Sequence, residues 1–182
     1  MNLISVIVPC WNEEETTPIY YEHMCPVMDA IDADCELIFV DDGSQDATLS
    51  EMKKLSEKDA RCQYLSFSRN FGKEAAIFAG LAQACGDVVA VMDCDLQHPP
   101  QTLIEMYRLW QEGYEVIEGV KADRGKEGFL HKECAGFFYD IMSKATKVNM
   151  KDASDFKMMD RKAVDSIPVS YTHLRAHETL MN

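Results

Sequence analysis

The chain has 182 residues, 47% of them hydrophobic and 27% charged, with a formal charge of −13. That balance fits one soluble globular domain, and the negative charge excludes nucleic acid or an anionic membrane surface as a partner of the fold as a whole, because a polyanion is repelled. Seven cysteines without a C-x-x-C pair argue for a reducing cytosol and against zinc, and neither a signal peptide nor an apolar window of about 20 residues occurs in the chain.

Strands and helices alternate from the start, the pattern of a mostly parallel sheet with helices on both faces. Residues 3–8 (Leu-Ile-Ser-Val-Ile-Val) predict the first strand, stopped by Pro9. Asn12 is placed to cap a helix running to about residue 31, with Glu13, Glu14 and Glu15 at the positive end of its dipole. Residues 36–40 predict a second buried strand, ending in Asp41-Asp42-Gly43-Ser44, after which Asp46 caps a helix through about residue 58. Residues 63–67 read as the third strand and 71–84 as an alanine-rich helix, with Gly86 as its C-cap signal. The fourth strand spans residues 88–92 and is followed by a helix over 101–111, a strand over 115–120 and a longer amphipathic helix over 128–146. No internal repeat or low-complexity linker interrupts this order.

The fourth strand runs directly into Asp93-Cys94-Asp95, then Gln97-His98-Pro99-Pro100. In an extended segment positions i and i+2 point the same way, so Asp93 and Asp95 can offer hard oxygens to one divalent cation while Cys94 turns away. A lone Asp-x-Asp is more often a solvated loop; the buried strand ahead of it is what raises its weight. Parallel strands share direction, so Pro9-Cys10-Trp11-Asn12-Glu13 and Asp41-Asp42-Gly43-Ser44 open on the same edge, where ligands of open α/β sheets bind. Trp11 offers a flat face to a base and Asp41 an acceptor to a base N–H, while packing and turn-capping are the plainer alternatives for each. Arg69, Asn70 and Lys73 flank Gly72 at a helix start suited to anionic oxygens, and Lys121 and Arg124 follow a strand end where they can clamp a phosphate. A capped helix with exposed cations is the alternative for the first three, and solvated loop cations for Lys121 and Arg124.

The strings VIVPCWNEEE, IFVDDGSQDAT, SFSRNFGKEAAIFAGL, VMDCDLQHPP and ASDFKMMDRKAV occur in this order over residues 5–164. Together they resemble the catalytic domain of family 2 glycosyltransferases, within them the polyprenyl-phosphate glycosyltransferases such as bactoprenol glucosyltransferases and dolichyl-phosphate mannose synthases. Trp11 stands where that family usually has tyrosine, and Cys94 where alanine is usual. The resemblance implies an α/β GT-A fold, Rossmann-like and mostly parallel, and an inverting transfer of a hexose, with UDP-glucose the favoured donor, to a polyprenyl (undecaprenyl) phosphate. It implies that Pro9, Trp11, Glu13 and Asp41 bind base and ribose, that Asp93 serves the ribose and metal region, and that Asp95 with Gln97 holds Mg²⁺ or Mn²⁺. Lys73 and Arg124 would face phosphate, and Asp155 would act as base or acceptor-orienting residue; capping a following segment, 156–164, is the alternative for Asp155. His131 and Lys132 are weaker candidates for lipid phosphate. A GDP-mannose donor, a saccharide acceptor and, from another class, a haloacid-dehalogenase-like phosphotransferase with Asp93 as nucleophile remain open, although the last wants Thr or Val where Gln97 stands.

Residues 169–179 match one reading frame of a transposase sequencing adapter codon by codon, so native sequence is expected to stop near Ile167 and His173 and His177 to carry no function. Residues 1–167 are then an incomplete catalytic domain, soluble and cytoplasmic as it stands. Its full-length parent would sit on the cytoplasmic face of the bacterial inner membrane through a missing C-terminal part. Self-association stays open. Leaving out Arg175 and Glu178 removes one charge of each sign and keeps the balance at −13.

Overall fold

The structure, a computed structural model, describes residues 1–119 and 156–167. Among them, six strands form one sheet in the order β3-β2-β1-β4-β6-β5: β1 Leu3–Cys10, β2 Asp34–Asp41, β3 Cys62–Ser66, β4 Val88–Val91, β5 Val116–Glu118 and β6 Lys157–Asp160. The first four are parallel and β6 runs antiparallel between β4 and β5. Five helices accompany them: α1 Thr16–Ala30, α2 Thr48–Lys58, α3 Lys73–Gln83, α4 Thr102–Gln111 and α5 Arg161–Asp165.

The strands are apolar at nearly every position because both faces are covered. Ile4, Val6, Val8, Leu37, Phe39, Val88 and Ala90 point to one face and pack under Tyr20, Met24, Met52, Leu103 and Met106 of α1, α2 and α4. Their neighbours Ile7, Ile38, Val40, Val89 and Val91 point to the other, against Ala76, Ala79 and Leu81 of α3 and Val164 of α5. Each fully buried side chain of this size contributes about 1.5–3 kcal/mol, and a one-residue slip in register would swap the two faces and mismatch the packing of both layers.

Several predicted boundaries move. Pro9 does not stop β1, which pairs through Cys10 with Asp41. The carbonyl of Ile7 accepts from Met92 N, so by strand alternation the nitrogen of Pro9 also faces β4, beyond β4's last paired residue, and no ladder bond to β2 is lost. α1 starts at Thr16, four residues after the expected cap, and Asn12 adopts φ +56 instead. Pro26 lies inside α1 on its exposed side, where the carbonyl it deprives of a donor can take water. Gly86 is not a left-handed cap: a Cβ there would lie 2.6 Å from Ser5 Oγ and 2.7 Å from Ser5 N, so its role is close approach to β1. Residues 156–164 are not one capped segment; Lys157–Asp160 are strand, and Asp160 caps α5 by accepting from Lys162 N at 2.9 Å. The helix expected over 128–146 lies outside the described residues, as do residues 168–182. No helix among the described residues is long and apolar enough to cross a membrane.

Candidate functional site

The chain winds from β1 through β2 to β3 and then crosses to β4 on the other side of β1. The sheet therefore reverses its winding between β1 and β4, and a crevice opens beyond the carboxyl ends of those strands. A cleft of about 310 Å³ occupies it, lined by residues of all four parallel strand ends, among them Pro9, Trp11, Glu13, Asp42, Lys73, Asp93 and Asp95.

The loops around the cleft are tied to each other in sequence. Asn12 N donates to Ser44 Oγ at 2.9 Å, and Gln45 N donates to Asn12 Oδ1 at 2.9 Å, so the left-handed Asn12 joins the turns after β1 and β2. Thr48 Oγ1 accepts from Glu13 N at 2.7 Å, and Glu14 accepts from Ala47 N at 2.8 Å. These acids, expected in the first turn of α1, hold the neighbouring loop. The turn after β2 then grips the turn after β3: Asp42 accepts from Phe71 N at 2.7 Å and from Gly72 N at 2.9 Å. Gly43, at φ +66, lies so close to the same turn that a Cβ would sit 2.2 Å from the backbone carbon of Arg69. The turn after β3 delivers Lys73, whose Nζ lies 2.6 Å from Asp93 Oδ1 at the end of β4. The ring closes where Thr17 Oγ1 of α1 lies 3.9 Å from Cys94 Sγ.

Trp11, which lines the cleft, is 55% exposed, unusual for a large aromatic ring. The segment after β4 is not extended as expected: Cys94 and Asp95 turn and Leu96 adopts φ +56. Asp93 and Asp95 nevertheless both line the cleft, and so does Cys94, which was expected to turn away, although it is only 2% exposed. Asp95 Oδ1 accepts from Gln97 N at 3.0 Å, so its carboxylate also fixes its own turn. Gln97 is exposed and is not among the described residues lining the cleft. The structure places Asp41 beneath the cleft rather than in its lining: it is 2% exposed and accepts from Ser44 N at 2.9 Å and Ser66 Oγ at 2.8 Å. Arg69 stacks its guanidinium 4.2 Å above the Phe71 ring, and Asn70 faces the cleft. Lys121, Arg124, His131, Lys132 and Asp155 lie outside the described residues.

Cys10 and Asp42 belong to the lining although neither was a candidate. The Asp-Asp pair signals that acids reach this edge; which of the two enters the cleft depends on the bend after Asp41, and the composition of the pair contains no mark of that.

Asp93 and Asp95 are hard donors on an open cleft, and among the described residues no group of three or more His, Cys, Asp or Glu is placed to hold a metal. That set fits Mg²⁺ or Mn²⁺, which bind through one or two carboxylates and complete their shells with water and phosphate oxygens. Burial above all, with the neighbouring Cys94, pushes the Cys10 thiol well up.

Residues 5–167 match the glycosyl transferase family 2 domain. The chain belongs to that family. Family membership sets aside the phosphotransferase alternative. Among curated relatives, the uncharacterized glycosyltransferase YkcC of Bacillus subtilis is 40% identical over 90% of this chain and 51% of its own length. The bactoprenol glucosyl transferase of Shigella phage SfV is 37% identical over 90% of this chain and 54% of its own. The chain thus spans about half the length of the curated relatives it matches. Among solved structures, the mannosyltransferase PcManGT from Pyrobaculum calidifontis, in complex with GDP-Man and Mn²⁺, is similar with a TM-score of 0.62 at 19% identity, covering 91% of this chain and 46% of that one. Glucosyl-3-phosphoglycerate synthase from Mycobacterium tuberculosis, in complex with Mn²⁺, UDP-glucose and phosphoglyceric acid, is similar with a TM-score of 0.57 at 22% identity, covering 88% of this chain and 57% of that one. At such identities the likeness concerns fold, and the fold of this family 2 domain is GT-A.

Proposed function

We propose that this family 2 domain is the donor-binding part of an inverting, metal-dependent transferase that moves a hexose, with glucose from UDP-glucose favoured, onto a polyprenyl phosphate such as undecaprenyl phosphate. The observation that carries the donor side is the convergence of an exposed Trp11, the carboxylates of Asp93 and Asp95 and the ammonium of Lys73 on one cleft at the switch point of the sheet. The acceptor side rests on the relatives named bactoprenol glucosyl transferase.

Trp11 stacks on the base, with Pro9 and Glu13 closing that end of the cleft. Asp41, buried beneath the cleft, serves the base end through the turn it holds. Asp93 and Asp95, with Gln97 nearby, would hold Mg²⁺ or Mn²⁺, which supplies charge neutralisation on the departing nucleoside diphosphate when bound. Lys73 and Arg124 add positive charge for phosphate. Asp155 is assigned to the acceptor, a lipid phosphate already ionised at neutral pH that demands little of a base. Membrane attachment belongs to the longer parent protein.

The test is thermal and calorimetric titration of the chain with UDP, GDP, UDP-glucose and GDP-mannose, each with and without Mn²⁺. The preferred donor is expected to stabilise the fold by about 2.7 kcal/mol at a hundredfold excess over its dissociation constant, and only with metal. Asp95→Ala should remove the metal dependence. A larger shift with GDP-mannose would reassign the donor, and metal-independent binding in the unaltered chain would end the metal assignment.

A further inference from the structure

The cleft gathers Glu13, Asp42, Asp93 and Asp95 in a chain of net charge −13, and carboxylates so close together need a positive neighbour. Asp42 is answered by two backbone N–H groups. Asp93 is answered by Lys73 at 2.6 Å, in the region where the proposed donor site has its cation. One carboxylate oxygen cannot serve an ammonium and a metal at full strength together.

We propose that Lys73 is the internal counter-ion of Asp93: its ammonium holds that carboxylate until a divalent cation takes it, and the lysine then turns to phosphate oxygens of the donor. The inference rests on the donor-site reading above. Three features of the chain suit Lys73 to such an exchange. The pair is partly solvated, with side-chain exposures of 40% for Lys73 and 22% for Asp93, so breaking it strands no charge in a dry interior. Its backbone is anchored, since Lys73 opens α3 directly after a turn held by Asp42 and seated against Gly43. Its four-carbon stem can swing while the anchor stays, which a rigid guanidinium fork does less readily. Lys73 lines the same cleft as Trp11 and Asp95, so both destinations lie within one cavity.

The experiment measures free Mn²⁺ by its electron paramagnetic resonance signal as the full 182-residue chain is added, and UDP binding by calorimetry at fixed Mn²⁺. Lys73→Met is expected to bind Mn²⁺ alone about two- to five-fold more tightly, the range of one partly exposed ion pair. The same variant should bind UDP with Mn²⁺ about tenfold more weakly, having lost a charge-assisted contact to phosphate. Arg69→Gln removes a charge from the same turn but keeps the pair, and its Mn²⁺ affinity should stay near that of the unaltered chain. Unchanged or weaker Mn²⁺ binding in Lys73→Met, or an equal gain in Arg69→Gln, overturns the exchange while Mn²⁺-dependent UDP binding by the unaltered chain leaves the donor site standing. Absence of that dependence in the unaltered chain removes the donor-site reading itself, and the exchange with it.

Discussion

Gly43 shows how much of the cleft depends on the absence of one side chain. It combines φ +66 with a Cβ position 2.2 Å from the Arg69 carbonyl carbon and 2.6 Å from its Cα, both backbone atoms that cannot swing aside. Gly43→Ala is therefore expected to destabilise the fold by about 3 kcal/mol in urea unfolding, strain and overlap acting together. Gly113 is the comparison: its φ of +101 is equally left-handed, but a Cβ there meets nothing within 4 Å. Gly113→Ala should cost about 1 kcal/mol, and the two should differ again in donor binding, which only the Gly43 variant should weaken, because only Gly43 supports the turn that carries Lys73. Asp42 is a second such residue. Asp42→Ala leaves Phe71 N and Gly72 N without their acceptor, an expected loss of about 2 kcal/mol that the same unfolding measurement reads.

Among the elements, the ends of α1, α2 and β3 meet at a charged knot on the opposite edge of the sheet from the cleft. Asp59, just after α2, accepts from Arg61 N at 2.9 Å and from Arg61 Nη2 at 2.8 Å, and also from the Tyr21 hydroxyl of α1 at 3.0 Å. Arg61 Nη1 reaches Asp29 near the end of α1 at 2.7 Å. Hydrogen bonds from Arg61, against the opposing effect of burial, hold the Asp59 carboxyl well below the usual carboxylate range. A folded-state value below the unfolded one means that the stabilisation is complete above about pH 4 and drains away as acid carries the pH down through the lowered value. Asp59→Asn should cost about 1–2 kcal/mol at pH 7, discounted for the partly exposed arginine. The difference between variant and unaltered chain should shrink steadily between about pH 4 and 2 in acid-unfolding curves. A constant difference across that window would show that charge on Asp59 contributes nothing.

For the whole molecule, the two hydrophobic layers each use one parity of the strand residues, and the switch between β1 and β4 places the cleft where no strand continues the winding. The segment 169–182 carries no apolar period in its sequence and is expected to be foreign to the domain. Removing it should leave the melting temperature within about 1 °C of the full chain by calorimetry, and a drop of several degrees would show it to be native structure.

The nearly continuous Val, Ile and Leu runs were enough to announce a buried, mostly parallel sheet, since only strands covered on both faces can be apolar at nearly every position. The acids and tight-turn residues at their ends were enough to mark the edge where the cleft opens. What escaped local reading were the roles that depend on partners far along the chain. Asn12 looks like a helix cap until the loop after β2 comes within reach of it, Gly86 like a helix stop until Ser5 lies against it, and Pro9 like a strand end until its nitrogen is seen to face the side where β4 has finished. Sequence alone thus determined the layers, the edge that carries the cleft and the residue types gathered there, because periodicity and side-chain type are local properties. Only the tertiary structure decided that Asp42 faces the cleft while Asp41 lies beneath it, and that Lys73 meets Asp93, because those outcomes are set by how separate turns pack against one another.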